Sequence, residues 1–117
     1  ADLHTGGRVR ATFQASARAS GARGAGRPDI RRFLVDFVGG DLAYFLREPD
    51  KVEAVPTVSA GMIVRTAMTP NPVTQGFRVA IDVQLGEGQT SDIRLYLRSG
   101  QRALTETWTF PWSREKR

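Results

Sequence analysis

The sequence contains no cysteine and only one histidine, and both scarcities narrow the chemistry open to it. Without cysteine there is no disulfide, no thiol nucleophile and no zinc–thiolate centre. His4 alone cannot supply a serine–histidine–aspartate triad or a histidine metal site. No spacing singles out a pair of carboxylates for glycoside hydrolysis. The residues therefore predict no catalytic, metal-binding or cofactor-binding site.

Long apolar runs are also missing. No stretch approaches the roughly 18 consecutive apolar residues that a membrane span requires, so we expect no membrane insertion. The opening residues, ADLHTGG, have neither the basic start nor the apolar core of a signal peptide. If the protein is exported, its signal peptide lies upstream of this sequence.

Lysine is scarce, because 15 of the 17 basic residues are arginine, and the net charge is +5. Such a balance attracts polyanions, since neutralising them releases counterions. The arginines, however, are scattered over nearly every segment instead of gathering along one. We interpret them as the solvated faces of strands and predict no nucleic-acid partner.

Alternating apolar and polar residues are the main signal that the sequence does contain. In Phe77 to Leu85 (FRVAIDVQL) every second residue is large and apolar, as expected for a strand with one buried face. The stretch Arg31 to Val38 (RRFLVDFV) alternates in the same way and runs into Gly39-Gly40, which supplies the positive φ of a tight turn. Residues 8–14 and 93–98 repeat the pattern.

Further strands are predicted over residues 52–59, 61–68 and 103–110, with Pro56 marking an edge or a bulge. About seven short strands and no helix of ordinary length predict an all-β, immunoglobulin-like antiparallel β-sandwich. We expect one domain over residues 8–112, with a flexible segment at 1–7, a mobile loop at 15–29 and a tail at 113–117.

Glu106 breaks the alternation of the last predicted strand, because period two places it on the apolar face with Leu104 and Trp108. An unpaired carboxylate on such a face is strongly disfavoured. We therefore predict a buried ion pair of Glu106 with Arg32 or Arg94.

Aromatic residues could form a surface that binds sugar. Trp108 keeps phase with the apolar face and is predicted to be core. Trp112 follows Pro111 beyond the predicted strand end, so it is either exposed or packed on another domain. Tyr44, just after the glycine turn, is either core or interface. Together with Arg31, these two residues, Trp112 and Tyr44, are the candidate interface or sugar contacts.

Three blocks of the sequence resemble a known family: GRPDIRRFLVDFVGGDL (26–42), NPVTQGFRVAIDV (71–83) and ALTETWTFPW (103–112). They are similar to the carboxy-terminal part of the periplasmic glucan biosynthesis proteins (OpgG/OpgD, also called MdoG/MdoD). The GGDL turn resembles the D-type members and NPVTQGFRV the G-type, so the subtype stays open.

The resemblance implies a periplasmic protein needed to make osmoregulated glucans with a β-1,2-linked glucose backbone. It implies an accessory carboxy-terminal domain that packs on a larger amino-terminal glucan-processing domain, which would carry the catalytic acids. This domain alone would then not be an enzyme. Two alternatives stay open: a module that binds glucan, and a protein-interaction module that recruits the membrane glucan synthase or an acidic partner.

Overall fold

The computed structural model describes residues 6–16 and 30–114, which form two β-sheets and one short helix. The helix, α1, spans Leu42–Phe45, and a 3₁₀ turn follows at Pro49–Lys51. The strands are β1 Gly7–Ser16, β2 Ile30–Gly39, β3 Glu53–Val58, β4 Met62–Asn71, β5 Gly76–Gln84, β6 Thr90–Ser99, β7 Arg102–Ala103 and β8 Trp108–Ser113. The predicted all-β sandwich is confirmed.

Both sheets are antiparallel. The first has the strand order β1-β2-β5-β4. In the second, β6 is central: β3 pairs with one edge of β6, while β7 and β8 share the other. Pro56 on β3 and Pro111 on β8 have no backbone N–H group to donate. Both strands are edge strands that bond to a neighbour on one side only, so a proline can be accommodated there.

The core lies between the two sheets. On β2, Phe33, Val35 and Phe37 are completely buried, which confirms the alternation predicted from the sequence. The inward residues of the other strands complete one cluster that joins the sheets; its members on β5 and β6 are Phe77, Val79, Ile81, Val83, Ile93, Leu95 and Leu97.

Gly39 and Gly40 end β2 with φ angles of 90° and 57°, as the sequence predicted. A side chain at Gly40 would also collide with the neighbouring strand, because a Cβ atom there would lie 2.5 Å from the Gly7 nitrogen. Glycine is therefore required at position 40 for both its conformation and its lack of a side chain.

The segment boundaries differ in detail from those expected. Strand β1 begins at Gly7 and continues through Ser16, so residues 15 and 16 belong to a strand and not to the predicted loop. Ser113 is the last residue of β8 instead of the first of a tail. The remainder of the predicted loop (17–29), of the tail (115–117) and of the amino-terminal segment (1–5, including His4) lies outside the described residues.

The last predicted strand, residues 103–110, is wrong as a single element. The chain leaves β6 after Ala103 and returns to it at Trp108. Between these points it contacts β1: the Gly7 N–H donates to the Leu104 carbonyl (2.7 Å) and the Glu106 N–H donates to the Gly7 carbonyl (2.8 Å). Leu104 and Trp108 remain buried, but the interruption turns Glu106 between them out to solvent, which period two cannot anticipate.

Candidate interaction surface

Trp112 belongs to the core. Its side chain is only 4% exposed and its ring centroid lies 6.0 Å from that of Phe33. The guanidinium carbon of Arg31 lies 4.8 Å from the centre of the Trp112 ring and covers it. The prediction that Trp112 is an exposed contact for glucan or for another domain is therefore wrong.

Arg31 and Tyr44, the other two candidate contacts, occupy different surroundings. Arg31 is half-buried and its Nη1 donates to Oε1 of Gln14 at 3.1 Å. Tyr44 is 71% exposed on α1, with its ring centroid 5.2 Å from that of the buried Phe45. A role for either residue in binding remains a prediction.

Glu106 does not form the predicted buried ion pair. Its side chain is exposed, and its Oε2 accepts the N–H of Val9 at 2.9 Å. Within residues 6–16 and 30–114, neither Arg32 nor Arg94 reaches it, because Arg32 is bonded to Asp82 and Arg94 is exposed on β6. The cause is the interrupted last strand, which turns Glu106 away from the core.

Residues 104–108, which include Glu106, instead form a seam between the two sheets, along the outer edge of β1. The Glu106 carboxylate receives one N–H of that edge, and Trp108 Nε1 donates to Thr12 Oγ1 at 3.0 Å. Thr105 Oγ1 accepts the Leu97 N–H at 3.1 Å, which ties the seam to β6. The bonds to Glu106 and Thr105 satisfy the backbone N–H groups of Val9 and Leu97, which an open sheet edge would leave unpaired.

Arg32 takes part in one of two ion pairs on the side of the first sheet that faces away from the core, here called the outer sheet face. The Arg32 guanidinium donates from Nε to Asp82 Oδ1 (2.7 Å) and from Nη2 to Oδ2 (2.9 Å). Arg78 bonds Asp36 with the same two distances. In each pair the partners are directly opposite each other on β2 and β5. Such bidentate pairs are the strongest and most directional that arginine makes.

The two aspartates are buried although they lie on an outward face. The side chains of Asp36 and Asp82 are 3% and 9% exposed, while those of their arginine partners are 43% and 37% exposed. The arginine side chains therefore lie across the sheet and cover the carboxylates. The hydrogen bonds from Arg78 lower the pKa of Asp36, although burial opposes this. The hydrogen bonds to Asp82 raise the pKa of Arg32, and those to Asp36 raise the pKa of Arg78.

Between the two ion pairs, the outer sheet face carries apolar side chains from all four strands. Leu34 is directly opposite Phe13 on one side and Ala80 on the other, and Ala80 is directly opposite Ala67. These four residues, here called the apolar row, cross the sheet from β1 to β4. Phe13 is 48% exposed, and the Arg78 guanidinium carbon lies 5.5 Å from the centre of its ring.

A groove of about 640 Å³ continues the outer sheet face at the end nearest α1. Arg8 and Arg10 line one wall and Val38 lies at its floor. Val73 and Gln75, in the turn between β4 and β5, line the other wall. We call it the arginine groove.

The outward face of the second sheet differs. Its ion pair, Arg98 with Glu53, has a distance of 3.1 Å and an acid that is 61% exposed, which is typical of an ordinary surface pair. Within the described ranges, no three histidine, aspartate or glutamate side chains come together as a metal site would require. Nor does any described helix have the length and apolarity needed to cross a membrane.

Sequence reasoning missed the outer sheet face. Asp36 and Asp82 both occupy polar positions in the alternating pattern of a strand, and each has an arginine on the neighbouring strand. Which arginine meets which aspartate depends on the register of β2 against β5, two strands far apart in sequence. The sequence feature that could have indicated this face was the occurrence of both an acidic and a basic residue at the polar positions of each of these two predicted strands.

The fold and its surface define the class of protein first: an antiparallel β-sandwich domain whose most distinctive surface is an ordered sheet face. Comparison with known proteins then gives the family. The sequence model of the family described as "Periplasmic glucan biosynthesis protein, MdoG" matches residues 2–112. The chain therefore belongs to the periplasmic glucan biosynthesis protein family, as its resemblance predicted.

Individual relatives agree. The chain is 46% identical over 85 residues to "Glucans biosynthesis protein D" of Xanthomonas axonopodis pv. citri (strain 306), which covers 70% of this chain and 16% of that protein. It is 45% identical over 85 residues to the protein of the same name from Xanthomonas campestris pv. campestris (strain B100), with the same coverage. For Stenotrophomonas maltophilia (strain K279a) the identity is 42% over 84 residues. The match thus spans only about a sixth of the length of these relatives.

Proposed function

We propose that this chain is an accessory domain of periplasmic glucan biosynthesis that packs, through its outer sheet face, against the remainder of a longer protein of the same family. The observation that carries the proposal is the outer sheet face itself. It combines an apolar row with two ion pairs whose acids are already buried. The role in glucan biosynthesis rests on the family to which the chain belongs.

Binding through a surface costs free energy when flexible side chains have to be ordered. A protein interface must immobilise side chains, and each flexible side chain that is frozen costs about 0.5–1.5 kcal/mol. On the outer sheet face, Arg32 and Arg78 are already held by two hydrogen bonds each. Arginine is enriched at interfaces, and here it would bind a partner with little further loss of side-chain freedom.

The partner is inferred from the length of the relatives. Because 16% of each relative is matched, most of such a protein is available to cover the face. Phe13 and Leu34 would lie at the centre of the contact, since they belong to the apolar row between the ion pairs. The outward face of the second sheet, with its exposed Arg98–Glu53 pair, would remain in water.

The strand order supports an immunoglobulin-like architecture for the domain. When β7 and β8 count as one interrupted strand, the orders β1-β2-β5-β4 and β3-β6-β7/β8 correspond to the sheets ABED and CFG of a constant-type immunoglobulin domain. Domains of this architecture carry diverse functions, so the strand order supports the fold and not the activity.

The alternative of a glucan-binding module has lost its main residue, because Trp112 is buried. Recruitment of a membrane glucan synthase or of an acidic partner stays a prediction. The periplasmic location is part of the proposal and rests on the family description.

The test uses a chimera in which the matching segment of the Xanthomonas campestris protein is replaced by this chain. In a strain that lacks its own copy, glucan production should be restored by the chimera. Leu34→Glu should reduce production, because it places a charge in the apolar row. Val55→Glu, on the outward face of the second sheet opposite Tyr96, is the matched control and should not.

Both variants are first shown to be folded as isolated chains by urea unfolding. If the folded Leu34→Glu chimera made as much glucan as the control, the outer sheet face would not be the docking surface. If the unmodified chimera made none, the assignment of this chain to glucan biosynthesis would itself be contradicted.

A further inference from the structure

The arginine groove is a second feature of the surface, independent of the docking argument. Its volume, about 640 Å³, falls within the range of small-molecule sites. It opens to solvent between the first half of β1 and the turn that joins β4 to β5. Its floor, Val38 and Gly39, is the last part of β2.

Two arginines define the charge of the groove. Strand β1 has an irregular register between Val9 and Ala11, which makes Arg10 the extra residue of a bulge, a device that redirects side chains near functional sites. Arg8 lies over the floor: a Cβ atom at Gly39 would be 3.0 Å from its Nη1, so the absence of a side chain there makes room for the guanidinium.

The charge on this wall is not balanced from within the groove. Among the described residues that line it there is no aspartate or glutamate. Two acids lie nearby, and both are already bonded: Asp36 through both oxygens to Arg78, and Glu106 through Oε2 to the N–H of Val9, which lies between the two arginines. Arg10 also lies close enough to Asp36 to contribute to the lowered pKa of that carboxylate. The field in the groove is therefore positive, and low-dielectric walls strengthen such a field.

The opposite wall is fixed before any ligand arrives. The Val73 N–H donates to Oδ1 of Asn71 (3.2 Å), and Nε2 of Gln75 donates to the Pro72 carbonyl (2.8 Å). Gln75 has a φ of 61°, and its side-chain bond helps to hold this unusual conformation. Val73, 92% exposed, gives this wall an apolar rim.

From this geometry we propose that the arginine groove binds an oxyanion, a carboxylate or a phosphate, carried on a small molecule with an apolar or neutral body. Guanidinium groups recognise both oxyanions by paired N–H···O hydrogen bonds. The body of the ligand would contact Val38 and Val73. A neutral sugar would leave the two cationic groups without counter-charge and is not the expected ligand.

The experiment is a titration of the isolated, isotope-labelled chain followed by NMR, including the arginine side-chain signals. The probes are inorganic phosphate, glutarate and, as the neutral comparison, a β-1,2-linked glucose disaccharide. We expect saturable shifts confined to Arg8, Arg10 and the residues 73–75 with one or both oxyanions. The tighter of the two identifies the source of the oxyanion, and affinity should fall as salt is raised.

Arg8→Ala and Arg10→Ala should each weaken binding by about tenfold, the equivalent of one charged hydrogen bond. Arg8→Lys and Arg10→Lys keep the charge but lose the paired geometry, and should weaken it less. Arg94→Ala removes the same charge from the other sheet and is the matched control.

Shifts that spread evenly over all arginines, or that survive both alanine variants, would overturn the proposal, as would saturation by the disaccharide alone. The test needs no other domain, so its failure would leave the docking proposal untouched.

Discussion

The aromatic cluster that joins the two sheets gives the most direct energetic prediction. Phe33 on β2 is completely buried, and its ring centroid lies 5.7 Å from that of Trp108, 5.1 Å from Phe110 and 6.0 Å from Trp112, all on β8. Phe33→Ala removes a large core side chain, which costs about 3–5 kcal/mol. We expect about 4 kcal/mol, because three tilted or edge-on ring contacts are lost together.

A domain of this size has a free energy of unfolding of roughly 6–18 kcal/mol, so the variant should remain folded. With a urea m value of about 2 kcal/mol/M, the midpoint of unfolding should fall by about 2 M at unchanged m. Phe13→Ala is the control: it removes the same ring from the outer sheet face, where Phe13 is 48% exposed, and should cost about 1 kcal/mol or less. Equal losses for the two variants would refute the assignment of Phe33 to a core that joins the sheets.

The remaining predictions concern Trp112, the seam and one ion pair. Trp112→Ala should lower the urea midpoint by an amount similar to that of Phe33→Ala; unchanged stability would contradict its place in the core. Glu106→Gln keeps an acceptor for the Val9 N–H and should cost less than Glu106→Ala, for which we expect a loss of about 0.5–1 kcal/mol in the same assay, since the bond is exposed; the reverse order would contradict the seam. The pKa of Asp36 is lowered by folding, so its ionised form stabilises the folded state above its unfolded pKa of about 3.9, and this contribution is lost as pH falls through the lower folded value. The stability difference between the wild type and Asp36→Asn should therefore be constant near neutrality and shrink below about pH 4, and a difference that grows on acidification would refute the pairing.

Local patterns predicted much of the fold. The alternation in β2 and β5 identified the buried residues, and Gly39-Gly40 identified the turn, because each depends only on neighbours in the chain. The same period-two pattern gave a wrong prediction for residues 103–110, which do not form one continuous strand. There the contact of residues 104–106 with Gly7 interrupts the strand, and only the folded structure brings these segments together.

The errors at Trp112 and Glu106 have related causes. Pro111 was interpreted as the end of a strand, but on the edge strand β8 a proline can be accommodated, so Trp112 continues the inward phase of Trp108. Glu106 was expected to be buried with Arg32 or Arg94, but Arg94 is exposed on β6. The register of β2 against β5 places Asp82 opposite Arg32, and the sequence of neither strand alone determines this register.

The central claim, that the outer sheet face packs against the rest of a longer protein, is tested most directly by hydroxyl-radical footprinting. Labelling of this chain alone is compared with labelling of the same residues within the Xanthomonas campestris chimera. We predict that Phe13 and Leu34 lose most of their labelling in the chimera while Tyr96, on the outward face of the second sheet, keeps its own. Unchanged labelling of Phe13 and Leu34, with protection of Tyr96, would contradict the claim.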